Sequence, residues 1–139
     1  MKQKREDKYK LRISRREEIY VHDEPHHSLS IVEMEGEPID HKVGVAGEFV
    51  SRRSVTFHDR TRGEGPMQGY VHANFQYGAV YSRFEGQRDP STKISTGTWE
   101  TYKGTGKLTG IKGEGTFKVY AGDRPGEFIM EMEGEYEAG

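Results

Sequence analysis

The stretch Ser95–Tyr120, STGTWETYKGTGKLTGIKGEGTFKVY, constrains this chain more than any other. Glycine recurs at Gly97, Gly104, Gly106, Gly110, Gly113 and Gly115, while Trp99, Tyr102, Phe117 and Tyr120 stand among Thr, Lys and Glu on either side. Aromatic and Thr-rich segments that alternate with polar residues read as strands. Glycine inside such a pattern marks a bend, a bulge or a close backbone approach. Together these features predict two strands joined by a tight glycine corner, the device by which a curved sheet closes into a small barrel.

A chain of 139 residues forms one domain and buries about two-thirds of its unfolded surface. Hydrophobic and charged residues each make up 32%, a lean supply for a thick core but enough for strands with one apolar and one polar face. Eighteen glycines against five prolines favour curved sheet over disorder. A net charge of −2 creates no global field to recruit nucleic acid, so no nucleic-acid partner is expected. With no cysteine there is no disulfide, thiolate metal site or cysteine nucleophile, which fits a reducing compartment.

The N-terminus is basic but lacks the apolar run of a signal peptide. No stretch approaches the ~20 apolar residues of a membrane-spanning helix; a soluble, cytoplasmic protein is the expectation. Residues 1–17 hold eight Lys or Arg against Glu6, Asp7 and Glu17, leaving −7 on the remainder. They read as a charged N-terminal arm, frayed or disordered in solvent, rather than as a nucleic-acid or membrane anchor. Residues 18–139 read as a single barrel domain.

Within that domain, 18–23 and 27–35 form the first two strands, followed by a loop over 36–44 containing Pro38 and His41. Residues 45–58 form a long third strand whose odd positions, among them Phe49, Arg53, Val55 and Phe57, are mostly apolar. After a turn at 59–65, strands 67–76 and 79–87 flank Tyr77-Gly78. A two-residue loop there pairs Phe75 with Val80, Ala73 with Ser82 and Val71 with Phe84 on one face. It pairs Asn74 with Tyr81, His72 with Arg83 and Tyr70 with Glu85 on the other. Turns at 89–91 and 122–126 bracket the glycine-rich stretch, and 127–137 form the last strand. The fold expected is all-β, an eight-stranded antiparallel up-and-down β-barrel.

Several motifs have a plain structural explanation. Lys107 lacks the upstream glycine of a phosphate loop, and Thr109 stands where a dinucleotide fingerprint needs glycine, so no nucleotide cofactor is expected. His22, His26 and His27 crowd with Asp23 and Glu24, but Pro25 breaks any metal-binding helix, and the run reads as a solvated turn with no metal. The sharper candidate is the polar hairpin face of Tyr70, His72, Asn74, Tyr81, Arg83 and Glu85. Pointing inward, it would bind a ligand, with His72, Tyr70 and Arg83 as catalytic acid–base and charge-stabilising groups. Pointing outward, it would leave Val71, Phe75, Val80 and Phe84 to fill the interior. Arg53, on an apolar face, either snorkels at the barrel mouth or anchors an anionic ligand. Trp99 and Tyr102 lie on opposite faces, one in the core and one at a rim or interface; Trp99 joins the ligand-binding candidates.

Across Gly63–Tyr120, the pieces RGEGPMQGY, VYSRFEGQ and GTWETYKGTGKLTGIKGEGTF resemble bacterial proteins of the allene-oxide-cyclase-like barrel family. That superfamily also contains dirigent proteins and spiro-forming cyclases. The resemblance implies a calycin-like barrel with a cavity, often dimeric or trimeric, that binds hydrophobic or reactive small molecules and steers cyclisation by shape. No motif here aligns with the plant cyclase's catalytic residues, so none is carried over. The expected function is binding of a small, largely apolar or amphipathic molecule without a cofactor. The alternatives are a cyclase or isomerase acting inside the barrel, and a non-catalytic structural or interaction barrel.

Overall fold

The computed structural model describes residues 2–40 and 43–138. Eight strands follow one another in chain order: β1 (Lys2–Tyr20), β2 (His27–Asp40), β3 (Phe49–Thr61), β4 (Gly65–Phe75), β5 (Gly78–Asp89), β6 (Ile94–Gly104), β7 (Lys112–Ala121) and β8 (Glu127–Glu137). Each pairs antiparallel with its neighbours, and β8 returns to β1, so the chain is a closed up-and-down barrel. Closure removes every free sheet edge. Among the described residues the one short helix is a single 3-10 turn, Gly106–Leu108, in the β6–β7 connection. No helix among the described residues is long and apolar enough to cross a membrane.

Residues 2–17 are not an arm. They form most of β1, paired with β8 from Lys2 to Arg12 and with β2 from Lys8 onward. A strand satisfies the alternation hidden in this charged run: Tyr9 and Leu11 face the core, while Lys8, Lys10 and Arg12, which alternate with them, lie on the other face. β2 likewise extends through Pro38, within the segment expected to be loop. Pro38 sits opposite Tyr9 where the β1–β2 register slips, a place that tolerates a residue without an N–H. His41 lies outside the described residues.

The β4–β5 hairpin differs from expectation by two in its register. Phe75 pairs with Gly78, Ala73 with Val80, Val71 with Ser82, His72 with Tyr81 and Tyr70 with Arg83. The loop is therefore Gln76–Tyr77, not Tyr77–Gly78. Its backbone is tied to the β2–β3 connection by Gln76 N–H to Glu48 O (2.7 Å) and Tyr77 N–H to Ala46 O (3.1 Å). Gly78, at φ +153°, begins β5 against the passing backbone of Thr105, where a Cβ has no room. A slip of two keeps every side chain on its face.

Bulges, in contrast, change faces. At 49–51 a register shift lets Phe49 point inward yet leaves Arg52, not Arg53, on the inner side of β3. A second, at 13–15, turns Arg16 inward in place of Arg15. The interior holds a cluster of Tyr9, Leu11, Met67, Trp99, Phe117 and Met130. A smaller cluster of Val80, Leu108 and Ile111, with Ala46 and Phe75 against it, plugs the end that carries the β2–β3 and β6–β7 connections. The glycine-rich strands let aromatic rings lie close to the wall: a Cβ at Gly134 would come within 2.6 Å of the Trp99 ring.

Candidate functional site

The polar hairpin face points outward. Tyr70 is 60% exposed and Arg83 and Glu85 are exposed. These side chains satisfy one another on the outer wall. His72 stacks on Tyr81 with centroids 4.5 Å apart, and His72 Nε2 donates to Asn74 Oδ1 at 3.1 Å. Asn74 Nδ2 donates to Ser51 Oγ at 2.9 Å. Arg83 pairs with Glu100 at 3.2 Å and lies over the Tyr102 ring, which meets Tyr70 edge-on. Arg53 is also outside, 3.7 Å from the Glu33 carboxylate. Arg53, His72 and Asn74 border a polar exterior groove with Lys10, Arg12 and Glu35. The placement of His72, Tyr70 and Arg83 excludes them as catalytic groups within the barrel. The physical reason is burial: Val71, Val80 and Phe84 alternate with them and take the interior.

Of the ligand-binding candidates named from the sequence, Trp99 alone faces the interior, 6% exposed, its indole N–H donating to Thr116 O at 3.1 Å. Tyr102 is on the outer wall, as expected of one member of that pair.

The interior contains a cavity of about 380 Å³. Most of its wall is apolar, with Trp99, Phe117, Phe84, Met67 and Met130 as its large contributors. One arc is not. Along β3 the inward residues are Arg52, Ser54, Thr56 and His58, all buried, continuing to Arg60. Their sequence signal was present in the even positions of 52–60, which alternate as strictly as the odd ones. Taking the apolar odd face as the inner face concealed it.

Burial shapes the chemistry of this arc. Arg52 is 8% exposed; its Nη2 contacts Met130 Sδ at 3.6 Å, its Nη1 has no hydrogen-bond partner, and the guanidinium lies 5.3 Å from the Tyr9 ring centroid. Loss of hydration lowers its pKa. His58 is 6% exposed, and burial together with Arg60, Arg16 and Arg88 pushes its pKa down to about 4. Burial pushes the Tyr9 phenol up to about 12, with Asp7 adding to the shift, and also raises Tyr136. The interior therefore holds intact phenols, a neutral imidazole and arginines, together with the Arg5–Asp7 ion pair.

At the barrel surface, His27 lies between two carboxylates, with Nδ1 2.6 Å from Asp23 and Nε2 2.7 Å from Asp59. Both ring nitrogens donate, which favours the imidazolium and raises its pKa. The described residues hold no group of three His, Asp or Glu side chains arranged for a metal ion. No protein-family model and no curated protein matches this chain.

Proposed function

We propose that the barrel binds a small, largely apolar molecule in its interior. The observation that carries this reading is the cavity of about 380 Å³, walled by Trp99, Phe117, Phe84 and methionines and interrupted by a few inward polar groups. Small-molecule sites have this volume and this mixture of apolar wall with sparse, placed polar groups. An eight-stranded barrel is just wide enough to enclose one such ligand. The resemblance to allene-oxide-cyclase-like barrels points the same way. Trp99 is the single tryptophan and lies in the cavity wall, so occupancy reads out directly in intrinsic fluorescence. Titration with a fluorescent lipid probe is expected to saturate and to change Trp99 emission. Val71→Trp, which fills the cavity from β4, is expected to abolish binding. Absence of saturable binding in the parent protein would overturn the reading.

The outer wall supports a second reading, assembly with further copies of this chain as a homodimer or homotrimer. Ile31 pairs with Phe57 and Val55 with Tyr70 on the outside, forming a contiguous exposed apolar patch across β2, β3 and β4. Glu33, Arg53, Arg83 and Glu100 flank it with both signs of charge, a self-complementary rim. Light scattering after size exclusion is expected to show an oligomer that Phe57→Ser dissociates; a monomeric parent protein rules this out.

A further inference from the structure

One end of the cavity collects more basic side chains than carboxylates. Arg16 arrives from β1, His58 and Arg60 from β3, and Arg88 from β5, all lining the same interior. Across the barrel wall, Ser28 pairs with Arg60, Ser30 with His58 and Gly65 with Arg88. Gly65 has the Arg60 backbone against its other side, so no side chain separates the two arginines. Glu18 pairs with Arg16 at 3.3 Å and accepts from Ser28 Oγ at 2.8 Å. Asp59, the neighbour of Arg60, is turned outward to His27. Arg88 is held in place by donating to Gly63 O at 2.6 Å. Among the described residues, neither Arg60 nor Arg88 forms an ion pair; the carboxylate that acts on Arg60 from a distance, Glu18, is already engaged by Arg16 and Ser28. His58 Nδ1 and Arg60 Nε are buried without any hydrogen-bond partner, and His58 is more than nine-tenths buried at the cavity wall. The far end differs: there Arg5 and Asp7 pair at 3.1 Å, and apolar side chains form a plug.

Buried donors and cations left without partners are costly, and an anion that accepts from them removes the cost. We propose that this end of the cavity is an anion subsite, and that the ligand is an amphipathic anion. Its carboxylate or phosphate lies between Arg60 and Arg88, and its apolar body runs along Met67, Phe117 and Trp99. This rests on the interior-binding reading above and adds the head group to it. The depressed pKa of His58, set first by burial, agrees, because two of the arginines that add to the shift, Arg60 and Arg88, are those left to hold an anion. A neutral imidazole still offers one N–H to that anion.

The test uses the full chain with four probes below their aggregation limits: decanoate, decyl phosphate, decanol and inorganic phosphate. Trp99 fluorescence and calorimetry report binding. Either anionic chain is expected to bind at least tenfold tighter than decanol, the scale of a charge-assisted hydrogen bond. In the Arg60→Gln/Arg88→Gln double variant the acid and the alcohol are expected to bind alike, whereas Arg83→Gln on the outer wall keeps the preference. NMR titration of the parent protein, independent of any variant's folding, is expected to show the His58 midpoint rising when decanoate is bound. Equal affinity of acid and alcohol in the parent protein overturns the anion subsite and leaves the apolar-ligand reading standing. No saturable binding of any chain overturns both. Inorganic phosphate binding as tightly as decyl phosphate overturns the amphipathic ligand. A preference lost in Arg52→Met but kept in the double variant overturns the placement at Arg60 and Arg88.

Discussion

Two walls of one barrel follow opposite rules. From β4 to β8 the inner face is mostly apolar, with Met67, Phe84, Trp99, Phe117 and Met130 packed together, Ser82, Arg88, Ser95 and Thr101 as the polar exceptions, and polar residues such as His72, Arg83 and Glu100 outside. Along β3 the inner face is Arg52, Ser54, Thr56 and His58, while Val55 and Phe57 face outward beside Ile31 of β2. Neighbouring strands with the same topology thus invert the ordinary rule of apolar burial. The first wall holds the barrel together. The second carries a polar interior and an apolar exterior, the two surfaces on which the ligand and assembly proposals rest.

This contrast is open to a direct attack at the strongest point of the apolar wall. Trp99→Ala removes a buried indole that rests over Gly134, and is expected to lower stability by about 3–5 kcal/mol. Thr56→Val on the opposite wall changes a side chain as deeply buried, yet is expected to shift stability by about 1 kcal/mol or less. Denaturant unfolding of the two variants measures the difference. Equal losses would mean that the polar arc is part of the structural core.

The polar wall has its own signature in acid. His58 ionises at about 4 in the folded barrel against 6.5 in the unfolded chain. The groups facing it are Arg60 on its own strand, Arg16 from β1 and Arg88 from β5, with Ser30 and Met67 as its cross-strand neighbours. The unfolded chain binds the proton first, so stability falls as pH drops from about 6.5 to about 4, by about 3 kcal/mol in all. His58→Gln is expected to flatten that slope. His27 works in the other direction: its raised pKa gives stability that is present below 6.5 and lost as pH rises through its folded value. Melting curves across pH 4–8 separate the two. A parent slope unchanged by His58→Gln would show that the imidazole is not held neutral inside the barrel.

The sequence carried the eight strands and the closed barrel in its turn residues and alternation, and the β4–β5 faces in the order of Val71, Ala73, Val80 and Phe84. Three things were concealed. β1 looked like an arm because lysines and arginines on the water face of a strand have the composition of a disordered segment. The bulges at 13–15 and 49–51 added one residue each, exchanging Arg15 for Arg16 and Arg53 for Arg52 on the inner face. No local pattern announces such a bulge. Finally, β3 has a regular apolar face that points the wrong way, so rules of burial selected Arg53 and passed over Arg52, His58 and Arg60. The candidate site was written in the residues that the burial rule discards.

Arg52 tests whether the polar wall is retained at the expense of stability. Its guanidinium is buried against Met130 and the Tyr9 ring, with one nitrogen unpaired. Contact with a thioether and an aromatic face returns only part of the hydration a guanidinium loses. Methionine has comparable reach and no charge, and Tyr9, Leu11 and Met130 already offer it an apolar bed. Arg52→Met is therefore expected to raise stability by about 1–4 kcal/mol, the range seen when buried ionic groups give way to packed apolar ones. Arg53→Met, on the outer wall, exchanges one exposed side chain for another and is expected to change stability by less than about 1 kcal/mol. Chemical denaturation of both variants decides the matter. A loss of stability in Arg52→Met would show that this guanidinium contributes to the fold, and that the two walls differ in composition but not in purpose.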